Sequence, residues 1–254
     1  MIMHPSLGLA GTDISHILQS KAPLSVKRDE LHAIPVPSGT HSWRPVAHTT
    51  ILSEVEARLH ETGTRIVGER LTVTHGGGRL FAVLRVGNPD APFGVEQAIG
   101  VRNAHDQAFA AGVAAGMQVL VCSNLSFAGD VVFKRRHTVN VMRDLPGMVS
   151  SAVDSLQGLW QRQTRQVEAY RNTRLLNHRA HDLTIQALDA GVISGSRIPR
   201  IIAEWRDPRH EDFRPRTVWS FFNAVTEHLK DYTHDLPTRT QQLHAVCDRF
   251  VGIA

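Results

Sequence analysis

Residues 65–86 read RIVGERLTVTHGGGRLFAVLRV, and this stretch decides the fold class. Two runs rich in Val, Leu, Thr and Phe flank His75-Gly76-Gly77-Gly78, and glycines in a short connection between such runs are typical of a β-hairpin. Because the chain must reverse over few residues, we expect a positive φ at Gly77 or Gly78, which glycine adopts without steric cost. The stretch therefore predicts a pair of antiparallel strands.

The segments around this hairpin extend the prediction to a whole domain. Strand-like patterns recur at residues 96–102, 118–123 and 130–136, and their short connections favour one antiparallel sheet. On either side of the sheet the hydrophobic period changes from two to about 3.6, which indicates helices. These are predicted at residues 50–62, 148–179, 181–190, 196–205, 217–230 and from 237 onward. The order is that of an α+β protein: an antiparallel sheet preceded by a helix and followed by a long helix and a C-terminal helical region.

Proline content sets the first region apart. Residues 1–47 contain five prolines, which break helices and strands, so we predict an extended N-terminal arm with one short helix near residues 13–20. The arm either packs over the domain or reaches a neighbouring subunit. Residues 48–145 are then the helix and sheet core, and residues 146–254 are a helical region packed on the sheet within the same domain.

Composition excludes several classes of protein. The 254 residues include 42% hydrophobic and 20% charged residues, which argues against disorder, and no apolar run is long enough for a membrane span. Two cysteines are not a disulfide framework, and the first Lys or Arg is Lys21, so we expect no signal peptide and a cytoplasmic location. Lys and Arg outnumber Asp and Glu by 28 − 24 = 4, a mild excess that is compatible with nucleic-acid binding.

Clustered cations supply the candidates for nucleic-acid contact. The densest run is Lys134-Arg135-Arg136-His137 at the end of the last predicted strand, and Arg102 ends another strand. A second group lies beside the aromatic residues Trp205 and Phe213, and consists of Arg200, Arg206 and Arg209. Arginines beside aromatic rings suit phosphate contact and base stacking. The alternatives are that the run protects a sheet edge from pairing and that the second group forms internal salt bridges with nearby Glu and Asp.

A different set of residues is compatible with catalysis. Asp106 could orient His105 as a base, with Asn103 and the thiol of Cys122 in the same site. The structural alternative is that Asn103 and Asp106 cap a turn and that Cys122 is a buried hydrophobic residue. His178, His181 and Asp182 share a helix face but lack a further ligand nearby, so we predict no metal and no cofactor.

Several segments carry a family resemblance. They are GVRNAHDQAFAAG at 100–112, VCSNLSFAG at 121–129, KRRHT at 134–138, LDAGVIS at 188–194, TVWSFFNAVTE at 217–227 and RTQQLH at 239–244. In this order they resemble domain-of-unknown-function family 932, found on phages, plasmids and other mobile elements. The resemblance implies a mobile-element setting and no assigned activity, so it supplies no catalytic residues.

The predicted order of elements is also similar to the core of single-strand annealing proteins, which form rings and hold single-stranded DNA in a basic groove. This is an analogy between folds. The first interpretation is thus a nucleic-acid-binding protein of a mobile genetic element, acting as an oligomeric single-strand DNA annealing or recombination factor without a membrane partner. Two alternatives stay open: an enzyme acting on nucleic acid or nucleotides around His105, Asp106 and Cys122, and an inhibitor of a host defence protein.

Overall fold

The computed structural model describes residues 12–87, 94–120, 124–232 and 235–253, with the backbone alone at residues 128–134. A single antiparallel sheet of six strands lies at its centre, and the strands follow one another in chain order. They are β1 (Leu24–Val26), β2 (Ile66–Thr74), β3 (Arg79–Val86), β4 (Val95–Ala104), β5 (Ala111–Val119) and β6 (Leu125–Arg135). Helices precede and follow the sheet, which confirms the α+β class.

The predicted hairpin is β2 and β3, with Thr74 paired to Arg79 at its closed end. Gly76 and Gly77 have φ values of 65° and 79°, so the expected positive φ at Gly77 is confirmed. An added Cβ at Gly77 would lie 3.1 Å from Ile34 Cδ1, because the arm packs directly on this turn. The turn therefore needs glycine both for its backbone conformation and for the close approach of the arm.

One predicted strand is misplaced. The sequence favoured residues 118–123, whereas β5 runs over Ala111–Val119, and residues 121–123 lie outside the described part of the chain. Alanine and glycine dominate β5 and have low strand propensity, so the pattern does not reveal it. The small residues are needed because the buried ring of Phe127 on β6 lies across Gly116, where an added Cβ would be 2.5 Å from Phe127 Cδ1.

The helices lie on both faces of the sheet. They are α1 (Ser15–Gln19), α2 (Arg28–Ala33), α3 (His48–Glu61), α4 (Val141–Asn172), α5 (Asn177–Asp189), α6 (Ile198–Arg206), α7 (Val218–Glu227) and α8 (Leu236–Val251). The predicted long helix, 148–179, is wrong at both ends. Pro146 lies inside α4, and after Asn172 the chain becomes extended so that Arg174 pairs with Thr217.

Each face of the sheet has its own hydrophobic core. One core joins side chains such as Leu80 and Leu84 to the arm, α3 and the first part of α4. The other joins Phe81 and Val83 to the end of α4 and to the C-terminal helices. Alternation along β3 therefore divides its side chains between two layers, which is why almost every residue of the strand is buried.

The arm packs over the domain, which is one of the two alternatives from the sequence. Ile17, Leu31 and Val46 are buried in the core beside α3, and β1 pairs with β2. The predicted extended arm with one short helix is thus an incomplete description, because the described part of the arm, residues 12–47, contains two short helices and an edge strand. Among the described residues, no helix combines the length and the apolar character required to cross a membrane.

Candidate functional site

The first group of predicted cations, Arg102 and the run at 134–137, lies at one end of the sheet, where β4 and β6 end. Register places Arg102 opposite Gly112 on β5, and Gly112 opposite Lys134 on β6. The two strands that carry Arg102 and the basic run are not neighbours, because β5 lies between them. With a strand spacing of about 4.8 Å, the two backbone positions are about 10 Å apart.

Beside these strand ends lies a cavity of about 620 Å³. Its walls come from the arm, β4, the loop between β4 and β5, and the residues after β6. The side chains that matter for chemistry are Trp43, Arg102, Phe109, Arg136, His137 and Thr138. The volume lies within the range of about 300–1,000 Å³ that is typical of ligand sites.

The arm forms one wall of this cavity through backbone contacts with the end of β6. Trp43 forms a β-bridge with Thr138, and the Arg44 amide donates to the carbonyl oxygen of His137 at 2.9 Å. The Val46 amide donates to His137 Nδ1 at 3.4 Å. The cavity therefore exists because the arm packs on its own domain, which the sequence had left open.

Two cations of the cavity are available to a ligand. The Arg102 guanidinium is partly buried and lies 5.4 Å from the centre of the Phe109 ring, whereas Arg136 is exposed. Neither forms an ion pair with a described residue. Burial lowers the pKa of Arg102, and the charge of Asp235 partly opposes this shift. An arginine nevertheless keeps its proton at neutral pH, so both side chains stay positively charged beside the cavity, with no ion-pair partner among the described residues.

Other predicted cations already have acidic partners. Arg135 contacts Asp144 at 2.5 Å. Arg209 contacts Glu204 at 2.8 Å and Glu227 at 3.1 Å. The contacts of Arg209 are internal salt bridges of the kind that the sequence allowed as an alternative for the second arginine group. An ion pair of this kind reduces the charge that the arginine presents to a phosphate.

The remaining predicted cations lie apart from the cavity or cannot be placed fully. Arg200 and Arg206 are exposed on α6 and do not line it. Lys134 belongs to β6, but its side chain lies outside the described residues. The structure thus brings together Arg102, Arg136 and His137 and separates them from the arginines of α6.

The polar residues proposed for catalysis form a buried cluster that ties the arm to β4. Asn103 Nδ2 donates to the Val46 carbonyl oxygen at 2.8 Å and to His48 Nδ1 at 3.0 Å. His105 Nε2 donates to the same carbonyl oxygen at 2.9 Å. The rings of His48 and His105 stack with their centres 3.9 Å apart, and His48 Nε2 donates to the Gly77 carbonyl oxygen at 2.8 Å.

We call His48, His105 and His137 the histidine cluster. Burial lowers the pKa of His48 to about 3 and of His137 to about 4, and the neighbouring imidazoles lower both further. Burial also lowers the pKa of His105. The three rings are therefore neutral at pH 7. Sequence reasoning missed His48. The signal that could have found its partners is the spacing of two between Asn103, on β4, and His105, directly after it, which directs both side chains to the same side of the sheet.

Asp106 does not orient His105. Its carboxylate contacts Arg79 Nε at 2.6 Å and accepts from the Ala108 amide at 3.1 Å, which holds its pKa below the ordinary value although burial opposes this. These contacts are those of a residue that caps a turn, the structural alternative. Cys122, the predicted nucleophile, lies outside the described residues.

Sequence reasoning also missed a second buried polar group, which lies between α4 and α8. Tyr170 Oη is 2.5 Å from Asp248 Oδ1 and 3.1 Å from His244 Nδ1. Burial raises the pKa of Tyr170 and of Cys247, and lowers that of His244 to about 3. The group lies within the C-terminal core and joins the two helices, so its role is structural.

The predicted metal candidates have no ligating partners in the described ranges. There, no group of three or more His, Cys, Asp or Glu side chains is arranged to hold a metal ion. Asp182, which shares a helix face with His178 and His181, lies 3.8 Å from Arg179 instead.

Comparisons with known proteins identify the family and nothing closer. A family model described as a domain of unknown function, DUF932, matches residues 37–249, which is most of the chain. No curated protein and no solved structure matches. The matched range contains every residue that lines the cavity.

Proposed function

The chain belongs to the DUF932 family, and we propose that it binds single-stranded nucleic acid at the cavity beside the ends of β4 and β6. One observation carries the proposal. Two arginines without a described acidic partner line the same cavity as two aromatic rings, those of Trp43 and Phe109. Arginine guanidinium groups bind the phosphates of a nucleic acid, and aromatic rings stack on its bases.

The placement of the aromatic rings favours single strands over duplexes. Trp43 and Phe109 are both partly exposed at the cavity. Stacking requires an unpaired base, and it tolerates any base because every base has a π-face. None of the described residues that line the site belongs to a helix, which would be the usual means of reading a major groove.

Annealing or recombination for a mobile genetic element is the more specific form of the proposal. It is supported by the order of the fold, in which a continuous antiparallel sheet is followed by the long helix α4, packed against β5 and β6. The mobile-element setting is supported by the family resemblance. Assembly of several copies would align the cavities along a strand, as annealing requires.

The first experiment is an anisotropy titration of fluorescent single-stranded DNA at two salt concentrations. Phosphate contacts release counterions, so affinity should fall as salt rises, with a log–log slope near −0.7 for each contact. Arg136→Ala should weaken binding and flatten the slope by about 0.7. Trp43→Ala should cost about 1–3 kcal/mol if a base stacks on the indole.

Arg249→Ala is the matched control. Arg249 is exposed near the C-terminal end of α8, whereas Pro237 at the other end of that helix lies near Arg102. The substitution removes the same charge, and it should leave affinity and slope near those of the wild type. Equal losses in both variants would mean that net charge, and not the cavity, attracts the strand.

Two further outcomes count against the proposal. A loss of affinity in Arg200→Ala but not in Arg136→Ala would place the binding surface on α6. If the wild type binds neither single- nor double-stranded DNA nor RNA at low salt, the protein does not act on nucleic acid.

A separate assay tests annealing. Complementary strands, one labelled with a fluorescent donor and the other with a quencher, are mixed with the protein, and annealing quenches the donor.

A further inference from the structure

The backbone of Val46 is held by three buried side chains at the end of the sheet. Its carbonyl oxygen accepts from Asn103 Nδ2 at 2.8 Å and from His105 Nε2 at 2.9 Å, and its amide donates to His137 Nδ1 at 3.4 Å. None of the three side chains is more than 5% exposed. We call these side chains and the Val46 backbone the Val46 clamp. Each hydrogen bond that the clamp loses would leave a buried polar group without a partner.

The same contacts determine where the protons of the two rings lie. A carbonyl oxygen only accepts, so His105 Nε2 carries a proton, and an amide only donates, so His137 Nδ1 carries none. Burial lowers the pKa of both histidines, that of His137 to about 4, so both rings are neutral at pH 7. One ring is thus a donor and the other an acceptor, as the carbonyl and amide of Val46 require. A buried network of matched donors and acceptors specifies one position of the backbone.

Trp43 lies three residues before Val46 and is connected to the clamp by a short, restricted segment. Pro45, between them, has its φ angle fixed by the pyrrolidine ring. The Arg44 amide donates to the carbonyl oxygen of His137 at 2.9 Å, so one residue of the clamp also holds the backbone beside Trp43. A shift of Val46 would therefore be transmitted to Trp43.

The other side of Trp43 has no comparable anchor. The Trp43 amide donates to Thr40 Oγ1 at 3.2 Å, and its carbonyl oxygen accepts from the Thr40 amide at 2.8 Å, so both contacts stay within the arm. Residues 35–39 form no hydrogen bond with a described residue. The indole wall of the cavity is thus held to the domain from the Val46 side.

We infer that Asn103, His105 and His137 are positioning residues for nucleic-acid binding, because they hold Val46 and thereby place the Trp43 ring at the cavity. The inference rests on the proposed function, in which this ring stacks on a base. Apolar side chains could fill the same space, but they could not fix the Val46 backbone through hydrogen bonds.

Tryptophan fluorescence tests the effect of the clamp without any nucleic acid. Trp43 is partly exposed, whereas the other three tryptophans are buried: Trp160 at 5%, Trp205 at 1% and Trp219 at 2% exposed. Quenching of the full chain by acrylamide therefore reports mainly on Trp43. His105→Leu removes a donor to Val46 and should increase the quenching constant, because the indole is no longer held against the domain.

Two matched variants separate this effect from a general loss of stability. His105→Gln can place an amide donor near the position of Nε2, so it should return quenching and DNA affinity toward the wild-type values. Val246→Ala opens space in the C-terminal core, away from the arm, and should leave both quantities unchanged.

Anisotropy titration of fluorescent single-stranded DNA shows whether the clamp acts through Trp43. His105→Leu should weaken binding, but by no more than Trp43→Ala, for which the loss of one stacked base predicts about 5- to 150-fold. When Trp43 is already alanine, His105→Leu should cause no further loss, whereas Arg136→Ala should still weaken binding. A further loss from His105→Leu without the indole would overturn the inference.

The remaining outcomes distinguish the clamp from the proposed function. If His105→Leu does not fold, Asn103→Ala takes its place in the same measurements, since it removes the other donor to the Val46 carbonyl oxygen. Unchanged quenching in these variants, while the wild type still binds strands, would overturn the clamp and leave the proposed function. Increased quenching in a protein that binds no strand would support the hold of the clamp on Trp43 and refute the proposed function.

Discussion

Acidification from pH 7 to pH 5 should destabilise the fold, because His48 and His137 are buried as neutral rings. The pKa of His48 is about 3 and that of His137 about 4, whereas an ordinary histidine has a pKa near 6.5. Below about pH 6.5 the unfolded chain therefore takes up protons that the folded chain does not. The unfolded state binds more protons, so the free energy of unfolding decreases as the pH falls.

The size of the effect follows from the difference between the pKa of a histidine in the unfolded chain and its pKa in the folded chain. One pKa unit corresponds to about 1.4 kcal/mol, and pH 5 lies about 1.5 units below the unfolded value. Each of the two histidines should therefore cost about 2 kcal/mol at pH 5, since both folded values are lower still. Their sum of about 4 kcal/mol is a large part of a typical free energy of unfolding of about 5–15 kcal/mol.

Substitution of His48 tests this reasoning more sharply than acid alone. His48→Gln removes one of the titrating groups, so stability should fall less steeply below pH 6, by about 1.4 kcal/mol per pH unit. Urea unfolding followed by tryptophan fluorescence at several pH values between 5 and 8 measures the slope. His41→Gln, which removes an exposed histidine of the same arm, controls for the loss of an imidazole. Equal slopes in His48→Gln and the wild type would refute the buried neutral assignment.

Three further predictions concern the packing of the domain. Gly77→Ala should lower stability by about 1–2 kcal/mol in urea unfolding, and by more than Gly63→Ala, because both glycines have positive φ but only Gly77 lies against the arm. Gly100→Ala should cost about 1–3 kcal/mol because its Cβ would lie 2.6 Å from Phe127 Cε1. In the Gly100→Ala variant, Phe127→Leu should lower the free energy of unfolding by less than it does in the wild type. If the effects of the two substitutions add, the contact between Gly100 and Phe127 is contradicted. Asn103→Ala should cost about 1–3 kcal/mol and speed proteolytic cleavage of the arm, since the arm loses a hydrogen bond to β4; an unchanged cleavage rate would contradict this role.

The glycine turn and the change of period were sufficient to predict the architecture. Residues 75–78 reverse the chain whatever surrounds them, because glycine tolerates the positive φ that the reversal requires. Alternation in β3 and the helical pattern of α7 are likewise local. Thr217 caps α7 by accepting from the Ser220 amide, which shows how a short-range signal places a helix start.

Local patterns failed where packing decides the structure. The alanines and glycines of β5 have little preference for a strand, and they are used there because Phe127 leaves no room for larger residues. Pro146 predicts that a helix begins near it, yet α4 begins at Val141. Buried neighbours such as Val141 and Leu145 hold this first part of the helix against the core.

The amino-acid sequence by itself determined the class of fold, the hairpin and the residue types that could bind nucleic acid. The tertiary structure alone decided which of those residues meet. Trp43, Arg102 and His137 are far apart in the chain, and they surround one cavity because the arm pairs with the end of β6. The same folding gave Arg135 and Arg209 acidic partners, while Arg102 and Arg136 kept none among the described residues. Spacing along a chain reports only nearby contacts, whereas a site between distant segments depends on how the whole domain packs.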